Sequence, residues 1–231
     1  MDEFEKIKSN IQKIEEDISN SCLKSGRERQ DVKLIVASKY ANCRQLKIVY
    51  NLGIKEFGEN RANELTYKAN ILNKEDVTWH FIGHLQSNKV KKVVPICEYI
   101  HSVDNLDTLE AIDKFCKKIN KVQKILVEVN VSGEETKFGL KVGEVNSFFK
   151  DALKYRNIMI CGLMTMAPFT SDFVLIRGIF RKLREIQNEL KLDDSFKHYD
   201  LKELSMGMSN DYKIAIEEGA TMIRIGSAIF K

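Results

Sequence analysis

The sequence is poor in proline and has no paired cysteines, and each shortage restricts the class of protein. Only 2 prolines and 12 glycines occur in 231 residues, and no segment concentrates Gly, Pro or Ser as a linker between domains does. The 5 cysteines are odd in number, widely spaced and without a CxxC pair, which argues against a disulfide framework and a structural zinc site. We therefore expect one domain over residues 1–231, a length that suits a single α/β barrel.

Long apolar runs and charge of one sign are also absent. No stretch reaches the length of a membrane span, and the N-terminal segment MDEFEKIKSN lacks the apolar core of a secretory signal. The 37 basic and 33 acidic residues are mixed along the chain and leave a net charge of +4, which does not indicate nucleic acid as a partner. We expect a cytoplasmic monomer that binds neither membranes nor nucleic acids.

The apolar residues that are present alternate between helical and strand-like spacing. From Phe4 to about Cys22 they recur every three or four residues, which predicts a leading amphipathic helix within residues 1–26. Eight short β-rich runs then alternate with helix-like stretches. The runs cover residues 32–38, 54–57, 78–82, 99–103, 125–129, 159–164, 199–204 and 222–225.

Strands that alternate with helices predict parallel pairing with right-handed crossovers. Eight such units in one chain favour a closed barrel, although a doubly wound open sheet gives the same local pattern. The predicted fold is therefore of the α/β class, a single (β/α)8 TIM-type barrel over residues 32–231 with an extra N-terminal helix. In such barrels binding groups lie at the C-terminal ends of the strands.

A lysine stands at the end of the first predicted strand. Lys39 directly follows VKLIVAS, and a strand buried on both faces offers an ammonium group little water. Burial favours the neutral amine, which can attack an aldehyde. Lys39 is thus a candidate for a Schiff base with a carbonyl substrate or with pyridoxal phosphate. The alternative is a lysine whose charged end reaches the solvent at the rim of the barrel.

Two small-residue segments follow the last two strands, where phosphate sites recur in these barrels. One is LSMGMS at 204–209 and includes Ser205, and the other continues from Ile225 through Gly226 and Ser227. Each segment alone also fits an ordinary loop, but neighbouring strands would bring the two together. Arg224, within the last strand, is a buried cation if it points inward and then requires an acceptor. A pyridine nitrogen or an acidic side chain could be that acceptor.

The third strand end carries His84, which could orient a cofactor or cap the next helix. No GxSxG or P-loop motif occurs, so nucleotide and serine-nucleophile chemistry are not indicated. We expect no metal site.

Several motifs in the same order resemble those of the pyridoxal phosphate homeostasis proteins, whose barrel is similar to the N-terminal domain of alanine racemase. The resembling segments are VASK (36–39), FGEN (57–60), WHFIGHLQSNK (79–89), HSVD (101–104), GLMT (162–165), LSMGMS (204–209) and RIG (224–226). The resemblance covers residues 32–230 and implies pyridoxal 5'-phosphate as the cofactor.

The resemblance also implies a role for individual residues. Lys39 would carry the cofactor, and Arg224 would face its pyridine nitrogen. Ser205, Gly226 and Ser227 would help to hold the phosphate. Asn60 and His84 would line the pocket.

The function that the resemblance implies is cofactor homeostasis, in which the protein holds the reactive aldehyde and passes it to apo-enzymes that depend on pyridoxal phosphate. No catalysis is expected, because the last strand ends a few residues before Lys231 and leaves no room for a second catalytic domain. An amino-acid racemase of low activity is the alternative. A third reading, a Schiff-base aldolase without cofactor, would not need Arg224 or two phosphate-binding turns.

The sequence departs from the family pattern after Lys39. The usual threonine and lysine-proline are replaced by Tyr40, Ala41, Asn42 and Cys43. We therefore expect no second lysine beside the pocket. A short tail that relatives carry beyond this point is also missing after Lys231.

Overall fold

The structure, a computed structural model, describes residues 2–231. Its strands are β1 (Lys33–Ala37), β2 (Glu56–Glu59), β3 (Thr78–Phe81), β4 (Tyr99–Val103), β5 (Gln123–Asn130), β6 (Leu140–Lys141), β7 (Ile158–Met164), β8 (Glu203–Ser205) and β9 (Met222–Ile225). Its α-helices are α1 (Glu3–Lys24), α2 (Cys43–Asn51), α3 (Ala62–Leu72), α4 (Val90–Val93), α5 (Leu106–Lys118), α6 (Val145–Ala152), α7 (Phe173–Leu192), α8 (Tyr212–Glu217) and α9 (Ser227–Phe230).

Eight of the strands close into a parallel barrel. The order is β4-β3-β2-β1-β9-β8-β7-β5, and a further pairing of β4 with β5 completes the ring. The two-residue strand β6 lies outside the ring and pairs with the end of β5. The predicted (β/α)8 barrel is confirmed, and the open-sheet alternative is wrong because the two edge strands pair with each other.

The seventh predicted strand begins too early in the sequence-based prediction. It was expected over residues 199–204, whereas β8 begins at Glu203. Tyr199 and Leu201 are buried, but they follow the short helical turn Asp194–Phe196 and lie ahead of the strand. The run is apolar because these residues are buried; apart from one bond from the Asp200 N–H to the Ile160 carbonyl, regular pairing with β7 begins only at Glu203.

The leading helix α1 is confirmed, and its apolar face packs against the barrel's outer helices. Ile7, Ile11, Ile14 and Ile18 are all buried, and each such side chain contributes about 1.5–3 kcal/mol relative to exposure. α1 contacts α8 and α9. It therefore covers the helices that follow the last two strands of the barrel.

The barrel interior combines an apolar middle with a charged end. A cluster around Ile35, Leu126 and Met222 fills the middle. At the N-terminal ends of the strands lie three pairs, which we call the floor: Lys33 with Glu203, Lys124 with Glu98, and His80 with Glu56. Their side chains other than that of His80 remain partly exposed. The floor is therefore partly open to solvent at the N-terminal face of the barrel.

Within residues 2–231 no helix has both the length and the apolar character needed to cross a membrane.

Candidate functional site

Lys39 lies on the rim at the C-terminal end of the barrel. Strand β1 ends at Ala37, two residues earlier, and the Lys39 side chain is exposed with its Nζ 5.0 Å from the centre of the Tyr40 ring. Of the two readings of Lys39, a buried ammonium and a lysine that reaches the solvent at the rim, the structure has the second, because the lysine stands beyond the last paired residue of the strand. The amine is therefore accessible from the solvent.

A buried ion pair holds the backbone just before Lys39. The ammonium of Lys68, from α3, donates to the backbone carbonyl of Ser38 at 2.7 Å and to Oε1 of Glu59 at 2.6 Å. The Ser38 hydroxyl donates to the same Glu59 oxygen at 2.7 Å. The Lys68 and Glu59 side chains are 4% and 0% exposed. The pair was not identified from the sequence, although the pair fixes the segment that presents Lys39.

Arg224 points into the barrel from β9 and is almost completely buried. Its Nη2 donates to the backbone carbonyl of Thr165 at 3.0 Å, and its Nη1 donates to the Ser205 hydroxyl. Burial lowers the pKa of the guanidinium to about 10, against the opposing effect of Glu128 and Asp211. Arg224 is therefore still protonated at neutral pH. A guanidinium has five N–H donors, so these two bonds leave others for a ligand.

Ser205, from β8, is fully buried beside Arg224. Besides accepting from Arg224, its hydroxyl is hydrogen-bonded to Nδ1 of His101 at 2.8 Å. The phosphate contact expected of Ser205 stays a prediction, but the hydroxyl already has two partners inside the barrel. The sequence analysis gave no role to His101.

Gly226 and Ser227 follow β9 and meet the other small-residue segment. A Cβ on Gly226 would lie 2.7 Å from the backbone oxygen of Ala37, so only glycine lets the β9 end approach β1 this closely. Ser227 is exposed and begins α9. The backbone N–H of Ala228 donates to the Ser209 hydroxyl at 3.3 Å. The two segments expected to form a phosphate cradle are thus adjacent, and Gly226 packs on Ala37, which is two residues before Lys39 in the chain.

Asn60 and His84 lie on the opposite side of β1 from Gly226. Both line a cavity of about 360 Å³ together with Arg61 and Lys89. Asn60 is half-buried, whereas His84 is exposed and stacks on Phe138 with ring centres 4.1 Å apart. His84 therefore does not cap the following helix from a buried position, and its predicted contact with a cofactor stays a prediction.

Glu128, from β5, is a buried carboxyl that the sequence analysis missed. Its residue is 3% exposed. Burial, with the carboxylate of Asp104 adding repulsion, raises the pKa of Glu128 to about 7, although Arg224 acts in the opposite direction. The sequence does contain an indication of this burial: Glu128 is two residues after the apolar Leu126 in the same strand, so both side chains point to the same, inner face.

The arrangement fits a phosphorylated ring that carries an aldehyde. Lys39 supplies an accessible amine, Arg224 supplies spare donors inside the barrel, and the turn at Gly226 supplies backbone N–H groups where a Cβ would not fit. Backbone N–H groups at such turns bind phosphate. No group of three His, Cys, Asp or Glu residues suited to a metal ion occurs within residues 2–231.

Comparison with protein families gives one model that covers most of the chain. Residues 27–231 match the family described as alanine racemase, N-terminal domain. Two curated relatives carry the description pyridoxal phosphate homeostasis protein. The one from Aquifex aeolicus is 41% identical over 220 residues, which are 95% of each chain. The one from Synechocystis is 37% identical over 200 residues, which are 86% of this chain and 90% of the relative.

A solved structure extends this likeness to three dimensions. The PipY protein of Synechococcus elongatus, solved with pyridoxal phosphate bound, superposes with a TM-score of 0.80 and 32% sequence identity. The match covers 87% of this chain and 93% of PipY. The fold therefore agrees over most of both chains.

Proposed function

This chain belongs to the family of pyridoxal phosphate homeostasis proteins, and we therefore propose that it binds pyridoxal 5'-phosphate at the C-terminal end of its barrel. The resemblance inferred from the motifs is confirmed by the family match over residues 27–231 and by 41% identity to a curated relative. One observation carries the proposal. An accessible lysine that follows β1 and a buried arginine and a glycine on and after β9 belong to two neighbouring, paired strands, and the glycine packs directly on the end of β1.

Lys39 is the residue to which we assign the cofactor. Pyridoxal phosphate supplies an aldehyde, which forms a Schiff base with a lysine amine. The exposure of Lys39 supports this assignment, because the amine is accessible to an incoming aldehyde. The Lys68–Glu59 pair keeps the preceding carbonyl of Ser38 in place, so the lysine projects from a fixed point.

The phosphate is assigned to the two small-residue segments. Gly226 and Ser227 offer backbone N–H groups and a hydroxyl, and Ser209 reaches the same turn through its bond to Ala228. We assign Ser205 to the support of Arg224, since its hydroxyl is already bonded on both sides. Asn60 and His84 line a cavity that Lys39 and Arg224 do not line, and we assign them to the outer wall of the cofactor site.

Arg224 is assigned to the ring nitrogen of the cofactor. A protonated guanidinium donates a hydrogen bond, and a donor at that nitrogen disfavours its protonation. An unprotonated ring is a weaker electron sink, which limits carbanion chemistry. Holding the cofactor and delivering it to apo-enzymes is therefore favoured over amino-acid racemisation. We place this role in the cytoplasm and assign it to a monomer.

The visible absorption spectrum of the purified protein, with and without added pyridoxal phosphate, tests the proposal. We expect a chromophore that borohydride abolishes in the native chain and in Lys47→Ala, which alters an exposed lysine of α2, but that Lys39→Ala does not form. A native protein that stays colourless would overturn the proposal.

Two further assays separate a carrier from an enzyme. We expect the loaded protein to reactivate a pyridoxal-phosphate-dependent apo-enzyme and to leave L-alanine unracemised. Racemisation that is lost in Lys39→Ala would instead establish the enzymatic alternative.

A further inference from the structure

A path of hydrogen bonds crosses the barrel from Arg224 to the floor. The Ser205 hydroxyl is bonded to Nδ1 of His101 at 2.8 Å, and Nε2 of His101 to Nδ1 of His80 at 2.9 Å. Nε2 of His80 is bonded to Oε2 of Glu56 at 2.6 Å. The path uses β9, β8, β4, β3 and β2 in turn. We call these five residues the interior path.

Only one arrangement of protons suits a path whose histidines are neutral. The carboxylate of Glu56 only accepts, so Nε2 of His80 must donate to it and Nδ1 of His80 must accept. His101 then donates from Nε2 and accepts at Nδ1. Nδ1 of His101 therefore accepts a hydrogen bond from the Ser205 hydroxyl. The lone pairs of Ser205 are left to accept from Arg224, so every bond of the path points toward Glu56.

The surroundings of the histidines agree with this arrangement. His80 and His101 are both 0% exposed. Burial lowers the pKa of His101 well below its usual value, and the positive charge of Arg224 acts in the same direction, so His101 is neutral at pH 7. His80 is held flat against Tyr99, with ring centres 5.2 Å apart and planes 6° apart. The His80 ring is therefore fixed by packing as well as by its hydrogen bonds.

We propose that Glu56, His80 and His101 are positioning residues, which hold the guanidinium of Arg224 toward the cofactor by fixing the proton of Ser205. The inference rests on the proposed function for its effect on the cofactor, but the interior path itself is a property of the protein alone. Glu56 is 29% exposed at the N-terminal face. A charge on the floor thus orients a group at the opposite end of the barrel.

The tautomers of the histidines can be measured without the cofactor. Long-range ¹H–¹⁵N correlation spectra of the full-length protein at pH 7 separate Nε2–H from Nδ1–H rings. The chain has 4 histidines, and His84→Gln and His198→Gln, both at exposed positions, identify the other two signals. We expect Nε2–H for both His80 and His101. An Nδ1–H ring or an imidazolium at either position would overturn the proposal.

Two leucine variants on the floor test the effect on the cofactor. Glu56→Leu removes the acceptor that ends the interior path, whereas Glu98→Leu removes an equal charge that pairs with Lys124 at 2.6 Å outside the path. We expect Glu56→Leu to weaken pyridoxal phosphate binding about threefold or more, because Arg224 is then held less firmly by Ser205. A loss of this size corresponds to one neutral hydrogen bond. Glu98→Leu should bind as the native chain does, and circular dichroism checks that both variants fold.

A substitution next to Arg224 gives an independent measurement. Ser205→Ala removes one of the two bonds to the guanidinium, and we expect about a tenfold loss of affinity, because a hydrogen bond to a charged group is involved. Unchanged affinity in both Ser205→Ala and Glu56→Leu would overturn the positioning role. A native chain that binds no pyridoxal phosphate would overturn the proposed function, while the tautomers would still decide whether the interior path exists.

Discussion

Replacing Lys68 with methionine tests whether a buried ion pair holds the segment that carries Lys39. The side chains of Lys68 and Glu59 are 4% and 0% exposed, and their charged atoms are 2.6 Å apart. Methionine keeps a similar shape but removes the charge. The Glu59 carboxylate would then keep only the Ser38 hydroxyl and the backbone N–H of Asn60 as donors.

The size of the effect follows from this burial. Removing one partner of a buried pair leaves an uncompensated charge and costs about 3–5 kcal/mol. For a chain of this length the loss corresponds to a fall of roughly 6–20 °C in Tm. The double variant Lys68→Met/Glu59→Leu removes both charges, so we expect it to recover most of the lost stability.

Urea unfolding at pH 7 measures the effect, with Lys114→Met as the matched control. Lys114 pairs with Glu110 at 2.7 Å, but the two side chains are 68% and 47% exposed. Solvent screens such a pair, and we expect no resolvable change in the control. Equal unfolding midpoints for Lys68→Met and Lys114→Met would refute the argument that the buried pair stabilises the Lys39 segment.

Two further predictions concern Glu128 and Gly226. Burial and Asp104 raise the pKa of Glu128 to about 7. The protonated carboxyl therefore contributes its full share to the free energy of unfolding below about pH 4, and this share is lost as the pH rises through 7. Glu128→Gln should therefore be about 2–3 kcal/mol more stable than the native chain at pH 8 and similar at pH 4. A difference in urea unfolding midpoint that is the same at both pH values would contradict this. Gly226→Ala, whose Cβ would meet a backbone oxygen at 2.7 Å, should weaken pyridoxal phosphate binding in a fluorescence titration, whereas Gly178→Ala, in open space, should not.

The barrel could be predicted from the sequence because its strands are buried on both faces and therefore appear as short apolar runs. The closure of the ring depends on the pairing of β4 with β5, which no local pattern contains. The run at 199–204 shows the limit of the method, since Tyr199 and Leu201 are buried without being part of a strand. Burial and backbone pairing are separate properties, and the sequence pattern reports only the first.

The candidate site was predictable only where the position of a residue along a strand was sufficient. Lys39 and Arg224 were identified because one follows the first predicted strand and the other lies within the last one. The environment of Lys39 could not be decided between a buried and a rim position, since the rule for strand ends does not say where pairing stops. The bond between His101 and Ser205 joins residues 104 positions apart, and such contacts appear only once the barrel has closed.

The central claim, that Lys39 carries the cofactor, is tested most directly by locating the modified residue. The protein would be incubated with pyridoxal phosphate, reduced with borohydride, digested and mapped by mass spectrometry. We predict that the added mass lies on the peptide that contains Lys39 and is absent from the Lys39→Ala protein. Modification of a different lysine to the same extent in both proteins, or of none, would contradict the claim.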